Sequence, residues 1–232
     1  MIAYSGYQLW LIVDNNAKEA TMHELVLPYR PSLPSATPGG ASSAPRTNQR
    51  IVELQAKFPG AVGWLTVPGT RIDYPFAQAS DNDFYLHRSL DKRYLYAGTL
   101  FMDHQNSKDF SDFNTLIYGH HMKNRSMFGD LQKFTERNFF DSNKTGTVFL
   151  ANKTYKVSFF AFAVIKPDDA NIYDPTISTD ADKADFLAHL KSASRYYRDL
   201  GVGPDDHIIT LSTCNYEFDN ARMVLVGKLT EI

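Results

Sequence analysis

Short β-type runs separated by turn-forming residues are the feature of this sequence that most restricts its fold. Runs of this length predict strands, and signals such as Pro68-Gly69 predict the turns between them. A series of short strands with one helix inserted late indicates a mainly β fold, a closed or nearly closed barrel. We predict strands at residues 62–67, 72–76, 97–102, 115–118, 146–151, 153–165, 207–213 and 221–229.

Helical spacing of apolar residues occurs in fewer places. In the clearest case, between Asp180 and Leu200, apolar residues recur at intervals of three and four, a pattern typical of a helix packed by one face. Tyr197 belongs to that pattern. We also predict one or two helices between Tyr7 and Val26 with a break near 14–16, a short helix at 50–58, a helical turn at 81–88 and a helix at 126–134.

A stretch rich in proline, serine and glycine lies between residues 28 and 48. This composition predicts a flexible or partly extended linker, and a plain surface loop is an equal alternative. We therefore predict an N-terminal helical segment with linker over residues 1–48 and one β domain over 49–232. A chain of 232 residues with 43% hydrophobic content can bury one substantial core.

Charge and cysteine content exclude several classes of protein. The formal net charge of −2 and the scattered basic residues argue against nucleic acid as the main partner. A single cysteine excludes an internal disulfide framework, and no Cys/His spacing of a zinc site is present, so we predict no metal or cofactor. No apolar run reaches the roughly eighteen residues of a membrane helix.

The single cysteine, Cys214, ends one predicted strand shortly before the next begins. A free cysteine is commonly a small buried hydrophobe, but a lone thiol at a strand end is also a candidate nucleophile. A nucleophilic thiol needs a proton acceptor or positive charge nearby. Arg222 would return beside Cys214 if the last two strands are antiparallel neighbours, and its permanent charge suits an oxyanion or a substrate carbonyl.

Seven histidines could supply the proton acceptor. His120 follows a short strand and Gly119, which permits tight backbone geometry, and His121 competes with it evenly by periodicity. His104, at the end of a strand-like run, stays open. The other four have structural interpretations in helices, a loop or a strand edge: His23, His87, His189 and His207.

Further short motifs occur in order along the chain. They are Gly63-Trp64-Leu65-Thr66-Val67-Pro68-Gly69-Thr70, Ile72-Asp73-Tyr74-Pro75, Tyr85-Leu86-His87, Gly98-Thr99-Leu100-Phe101-Met102-Asp103, Ile117-Tyr118-Gly119-His120-His121-Met122-Lys123-Asn124, Ser126-Met127-Phe128, Thr210-Leu211-Ser212-Thr213-Cys214 and Arg222. Together they resemble the class B sortases, cysteine transpeptidases of Gram-positive bacteria, over roughly residues 50–232.

The resemblance implies a fold and a mechanism. The fold is an eight-stranded β barrel with N-terminal helices and a helix in the loop before the cysteine strand. The Cys214 thiolate would attack the carbonyl of a threonine in a C-terminal sorting signal and form a thioacyl enzyme. His120 would protonate the leaving amine and then deprotonate the incoming one, while Arg222 would orient the substrate and stabilise the oxyanion.

The resemblance also implies substrate contacts from Asn82, Leu86, Tyr118 and Ser212, with Tyr173 a weaker candidate. For Leu86 and Tyr118 core packing is an equal alternative, and Ser212 could simply alternate outward on its strand. Some relatives carry an acidic residue directly after the cysteine, where this chain has Asn215. We therefore assign no third acidic partner, and interpret Glu217 and Asp219 as parts of a solvated loop.

Partners and location follow from the same resemblance. We expect secreted proteins with a C-terminal sorting signal as substrates, and a cell-wall peptide or its lipid-linked precursor as the amine acceptor. We also expect an N-terminal membrane anchor, absent from these residues, that holds the protein at the extracellular face of the membrane. Two alternatives are another cysteine peptidase acting by hydrolysis, although papain and caspase motifs are absent, and a non-enzymatic extracellular peptide-binding β module.

Overall fold

The computed structural model describes residues 2–33, 47–166, 168–169, 171–214 and 221–232. Its helices are α1 (Ile2–Val26), α2 (Gln49–Lys57), α3 (Arg137–Ser142) and α4 (Asp180–Ala193), with 3₁₀ helices at Leu27–Tyr29 and Gly129–Thr135. Its strands are β1 (Ala61–Thr66), β2 (Asp73–Ala77), β3 (Leu100–Met102), β4 (Asn114–His120), β5 (Thr145–Phe149), β6 (Thr154–Ile165), β7 (Ser194–Tyr197), β8 (Ile208–Cys214) and β9 (Arg222–Glu231).

Eight of these strands close into a barrel. Their order is β5-β1-β2-β3-β4-β8-β9-β6, and β6 pairs back with β5. The β2/β3 and β4/β8 pairs are parallel, and the other pairs in the ring are antiparallel. The strand β7 lies outside the ring, because it pairs with the C-terminal half of β6, beyond the β5 contact. The predicted eight-stranded barrel is confirmed.

Aromatic side chains fill the barrel, and helices cover parts of its outside. Phe76, Phe128 and Phe159 lie in the interior. A second cluster joins α2 to β1, and a third lies under α4 against β6, β8 and β9. Each large apolar side chain buried in this way contributes about 1.5–3 kcal/mol. Where both faces of a strand are covered, as in the second half of β6, the sequence is a nearly continuous apolar run rather than an alternating one.

The C-terminal half of α1 packs on the barrel. Val26 is buried, and the Glu19 carboxylate, 8% exposed, accepts a hydrogen bond from Asn124 Nδ2 at 3.1 Å. Burial beneath this helix, with a smaller contribution from the Glu19 charge, raises the pKa of Tyr74 to about 12. In the part of the chain that is described, no helix combines the length and apolarity required to cross a bilayer.

Two helix predictions, at residues 14–16 and 126–134, differ from the structure. The helix α1 continues through residues 14–16, where a break was predicted, because Asp14 pairs with Lys18 at 2.5 Å on its solvent side. The helix predicted at 126–134 is a 3₁₀ helix that begins at Gly129. Positive φ angles at Arg125 (68°) and Met127 (49°) are incompatible with an α-helix there.

Three other predictions also differ from the structure. The helix α4 ends at Ala193, and Ser194–Tyr197 forms β7, because Tyr196 and Tyr197 pair with β6. Residues 81–88 form irregular turns instead of a helical turn, and β3 starts at Leu100, after the turn at Gly98. Most of the predicted linker, residues 34–46, lies outside the described residues, and the division of the chain at residues 48/49 stays a prediction.

Candidate active site

The parallel pair β4/β8 brings the predicted acid–base residue and nucleophile together. Its register matches Asn114 with Ile208 at one end and His120 with Cys214 at the other. Neighbouring strands lie about 4.8 Å apart, so residues matched in register are adjacent across the sheet. Two residues 94 positions apart in sequence therefore end their strands side by side.

His120 is held by a hydrogen bond along its ring edge. Its Nε2 lies 2.8 Å from the carbonyl oxygen of Leu86. A carbonyl oxygen only accepts hydrogen bonds, so Nε2 carries the proton, and the acceptor of a neutral ring is Nδ1. Gly98 (φ +61°) makes this arrangement possible, because a Cβ there would lie 2.3 Å from the Leu86 carbonyl oxygen.

The strand register favours His120 over its neighbour His121 as the partner of Cys214. Consecutive strand residues point to opposite faces, and it is His120 that is matched with Cys214. His121 forms an isolated bridge with Met127. His104 lies beyond β3, where its Nδ1 is 3.5 Å from Asp103. Gly119 lies within β4 rather than in a turn, and a Cβ there would clash with Leu100 at 2.4 Å.

Arg222 returns to the cysteine strand from the other side. The strands β8 and β9 are antiparallel, as predicted, with Ser212 opposite Val224. The Arg222 Nη1 donates to the carbonyl oxygen of Thr213 at 3.1 Å, and the amide of Met223 donates to Thr213 Oγ1 at 3.0 Å. The guanidinium thus contacts the residue directly before Cys214. Asn215, Glu217 and Asp219 lie outside the described residues.

Two predicted substrate-contacting residues touch each other. The hydroxyls of Tyr173 and Ser212 are 2.9 Å apart, and the Tyr173 ring lies 6.3 Å from the Tyr118 ring. Ser212 is 1% exposed, so it does not alternate out to solvent. The loop before α4 therefore packs against the cysteine strand two residues before Cys214.

Two further predicted substrate contacts, Asn82 and Tyr118, meet at Asp103, a residue to which sequence reasoning gave no role. Asp103 is 3% exposed, and its Oδ2 accepts from Asn82 Nδ2 at 2.8 Å and from the Tyr118 hydroxyl at 3.0 Å. A buried carboxylate needs such partners. Its only signal in the sequence is its place directly after a strand. The side chain of Leu86 packs, partly buried, with the cluster between α2 and β1.

Two other rings, which the sequence did not indicate, lie beside the His120 ring. The His87 ring lies 5.0 Å from the His120 ring with 27° between their planes, and the Tyr96 ring lies 6.4 Å away at 8°. Sequence reasoning assigned His87 a structural interpretation, at the end of the predicted helical turn at 81–88, and no role in the site. Within the described residues, no group of three or more His, Cys, Asp or Glu side chains is arranged to hold a metal ion.

Comparisons with known proteins agree with this geometry. A sequence profile described as the sortase domain matches residues 65–230. The chain is 33% identical over 229 residues to sortase B of Listeria monocytogenes, and the aligned region covers 97% of this chain and 91% of the relative. The solved structure of sortase B from B. anthracis in complex with AAEK1 has a TM-score of 0.81 and 30% identity, and covers 95% of this chain and 100% of that one.

A structure of a Staphylococcus aureus sortase B-substrate complex is also similar, with a TM-score of 0.76, 27% identity and coverage of 81% of this chain and 87% of that one. The fold, the site and these matches define a class of enzyme: the chain belongs to the sortase family. Within that family it is a class B sortase, a cysteine transpeptidase for cell-wall anchoring. The alternatives of an unrelated cysteine peptidase and a non-enzymatic module are thereby set aside.

Proposed function

We propose that this sortase cleaves a C-terminal sorting signal after threonine through a thioacyl bond to Cys214, and transfers the new C-terminus to a cell-wall amine. The β4/β8 register carries the proposal, because it sets His120 beside Cys214 while Arg222 contacts the preceding residue. A nucleophile, a proton carrier and a permanent cation are the groups that acyl transfer requires.

The reaction has two half-steps. The Cys214 thiolate attacks the threonine carbonyl carbon, the peptide C–N bond breaks, and His120 gives a proton to the leaving amine. An incoming amine then attacks the thioester, loses its proton to the neutral imidazole and regenerates the thiolate. Since Nε2 of His120 is held by Leu86, we assign the proton transfers to Nδ1.

Arg222 stabilises the negative charge that develops on the threonine oxygen. Its planar group presents five N–H donors in a fixed fork, and one of them is directed to Thr213. The bond to Thr213 fixes the guanidinium next to the cysteine before substrate arrives. A donor positioned in advance stabilises an oxyanion without reorganising during the reaction.

The substrate peptide lies between two walls. Asn82 and Tyr118, joined by Asp103, form one wall, and Tyr173 with Ser212 forms the other. The Leu86 segment lies at the His120 end. A structure of the S. aureus relative with its substrate supports a peptide ligand for this groove.

We further propose that the substrates are secreted proteins and that the acceptor amine belongs to a cell-wall peptide or its lipid-linked precursor. Such partners place the enzyme at the extracellular face of the membrane, held by an N-terminal anchor. The domain at residues 49–232 would then carry the whole catalytic site.

The test uses a randomised pentapeptide library and mass spectrometry of the products, with and without an amine acceptor. We expect cleavage after threonine, a transfer product when the amine is present, and slow hydrolysis when it is absent. Cleavage at another residue, or hydrolysis that the amine does not divert, would contradict the proposal.

A further inference from the structure

Four rings cluster between the surface and the imidazole of His120. The His87 ring is inclined by 29°, 29° and 27° to the rings of Tyr94, Tyr96 and His120, with centroid distances of 6.4, 6.2 and 5.0 Å, and the Tyr96 ring also lies 6.4 Å from the His120 ring. We infer that His87 is a positioning residue, whose ring fixes the orientation of the His120 imidazole for proton transfer. This inference rests on the proposed role of His120.

Two consecutive residues hold the His120 ring from two directions. The Leu86 carbonyl oxygen contacts its edge at Nε2, at 2.8 Å, and the His87 ring covers one face. The hydrogen bond restrains the ring at Nε2. The His87 ring, stacked on the face, restrains the tilt of the imidazole plane and therefore the direction of Nδ1.

His87 is itself fixed well enough to act as a support. Its Nδ1 lies 3.2 Å from the carbonyl oxygen of Tyr96, and its own carbonyl oxygen accepts from the amide of Leu95 at 3.1 Å. The loop between these residues is closed by the bond from the Ser89 amide to the Arg93 carbonyl oxygen, at 3.0 Å. The support is therefore a hydrogen-bonded loop rather than a mobile side chain.

The same geometry argues against His87 as a second proton carrier. Proton transfer between imidazoles needs a nitrogen of one ring directed in its plane at a nitrogen of the other. Rings at 27° with centroids 5.0 Å apart present faces to each other. The Nδ1 of His87 faces the Tyr96 carbonyl oxygen and must donate to it, so this nitrogen is not available as a base.

The test compares two substitutions of His87 that separate stacking from hydrogen bonding. The His87→Gln variant retains a donor for the Tyr96 carbonyl oxygen but loses the ring, whereas His87→Phe retains the ring and loses the donor. The matched control is His207→Gln, because His207 Nδ1 makes the same kind of bond, to the Asp112 carbonyl oxygen at 2.8 Å, on the strand β8 side far from His120.

We expect His87→Gln to lower kcat about fivefold to tenfold with KM unchanged, the range that loss of one aromatic pair allows. We expect His87→Phe to stay within about twofold of the unmodified enzyme, and His207→Gln to be unaffected. Unchanged kcat in His87→Gln, or a variant order in which Gln retains activity and Phe loses it, would overturn the inference.

A second readout does not depend on turnover. In proton–carbon NMR spectra, the ring signals of His120 should shift in the His87→Gln variant, because the ring current of the neighbouring ring is lost. In the His87→Phe variant, which keeps a ring, they should remain close to their positions in the unmodified protein. Identical His120 signals in all three proteins would overturn the stacking arrangement. If no peptide is turned over by the unmodified enzyme, the proposed function fails, and the NMR result still decides whether the His87 ring stacks on the His120 ring.

Discussion

The two ends of the β4/β8 pair use polar residues in opposite ways. At the start of the pair, buried amide and hydroxyl side chains are bonded to the backbone and to one another, while Asn114 Nδ2 and Thr115 Oγ1 are buried without a hydrogen-bond partner among the described residues. Asn106 Nδ2 donates to the Asn114 carbonyl oxygen at 2.9 Å, its Oδ1 accepts from the Leu116 amide at 2.8 Å, and Thr210 Oγ1 donates to Asn114 Oδ1 at 2.8 Å. Asn106 is 4% exposed.

At the other end of the pair, polar groups stay partly accessible. The His120 ring and the Arg222 guanidinium are bonded to the backbone carbonyl oxygens of Leu86 and Thr213. The contrast teaches how one strand pair serves both stability and chemistry. Where the pair starts, polar groups support the register by which His120 meets Cys214, and where it ends, the side chains of His120 and Arg222 stay partly exposed.

The largest expected effect is on activity, at the reactive end. Both Cys214→Ala and His120→Ala should lower kcat/KM on the order of a thousandfold or more, because each removes a group that no neighbour replaces. Thermal unfolding should stay within about 2 °C. The matched control is His121→Ala, which should retain activity. An inactive His121→Ala beside an active His120→Ala would reverse the assignment.

The next largest effect concerns the cation. Arg222→Lys keeps the charge but loses the planar fork, so we expect a loss of about a hundredfold in kcat, measured with the same peptide. Arg71→Lys is the control, since Arg71 Nη1 also donates to one backbone carbonyl oxygen, that of Asn124 at 2.8 Å. Equal losses in both variants would show that a general arginine effect, and not the site, is responsible.

At the starting end, we expect a loss of stability instead. Asn106→Ala leaves the Leu116 amide and the Asn114 carbonyl oxygen buried without this partner, which should cost about 2–4 kcal/mol in the free energy of unfolding. Urea denaturation measures it, and the folded fraction should keep its kcat. Asn138→Ala, at an exposed position on α3, should change stability by no more than about 0.5 kcal/mol. A variant of Asn106 that is stable but inactive would break the contrast between the ends.

Asp103 should affect substrate binding more than chemistry. Asp103→Ala removes the shared acceptor of Asn82 and Tyr118, so both groove residues lose their fixed positions. We expect KM to rise about tenfold with kcat nearly unchanged. Asp109→Ala alters an exposed carboxylate in the same loop and should leave KM alone. A fall in kcat at constant KM would instead place Asp103 in the chemistry.

The smallest expected effect concerns the stability contribution of Asp206, a partly exposed carboxylate at the starting end of the pair. Burial alone would raise the pKa of Asp206, but the ion pair with Lys228, at 2.7 Å, together with the Gly203 amide and the nearby His207, holds that pKa below its usual value. A lowered folded-state pKa stabilises the protein above about pH 4, and this contribution is lost as pH falls further.

The screened, partly exposed pair should contribute at most about 1 kcal/mol. Asp206→Asn should therefore lower stability slightly at pH 7 and reduce the difference between pH 7 and pH 3. Urea titrations at the two pH values measure this difference. A pH dependence as steep in Asp206→Asn as in the unmodified protein would contradict it.

Sequence pattern predicted most of the strands because strands depend on local features. The short connection indicated that Arg222 returns beside Cys214, as the antiparallel pair β8/β9 shows, whereas His120 was preferred to His121 only through the resemblance to class B sortases. Periodicity also extended α4 through Tyr197, because it does not report the open edge of β6 on which β7 pairs.

The supports of the site were not predictable in the same way. Asp103, His87 and Asn106 act through loops that fold back on β4 from 8 to 33 positions away in sequence, as the contacts with Asn114, Tyr118 and His120 show. No spacing rule in one sequence reports such returns. The one related signal in the sequence is the glycine at position 98, inside a recognisable motif, where the structure has a positive φ and the loop backbone approaches closely.

The central claim is that His120 and Cys214 act together on one acyl intermediate. Intact-protein mass spectrometry after mixing the enzyme with a sorting-signal peptide in the absence of amine tests it most directly. The account predicts an acyl adduct that maps to Cys214, disappears when an amine is added, and fails to form in His120→Ala. Transfer product formed with no adduct on Cys214, or an adduct on another residue, would contradict it.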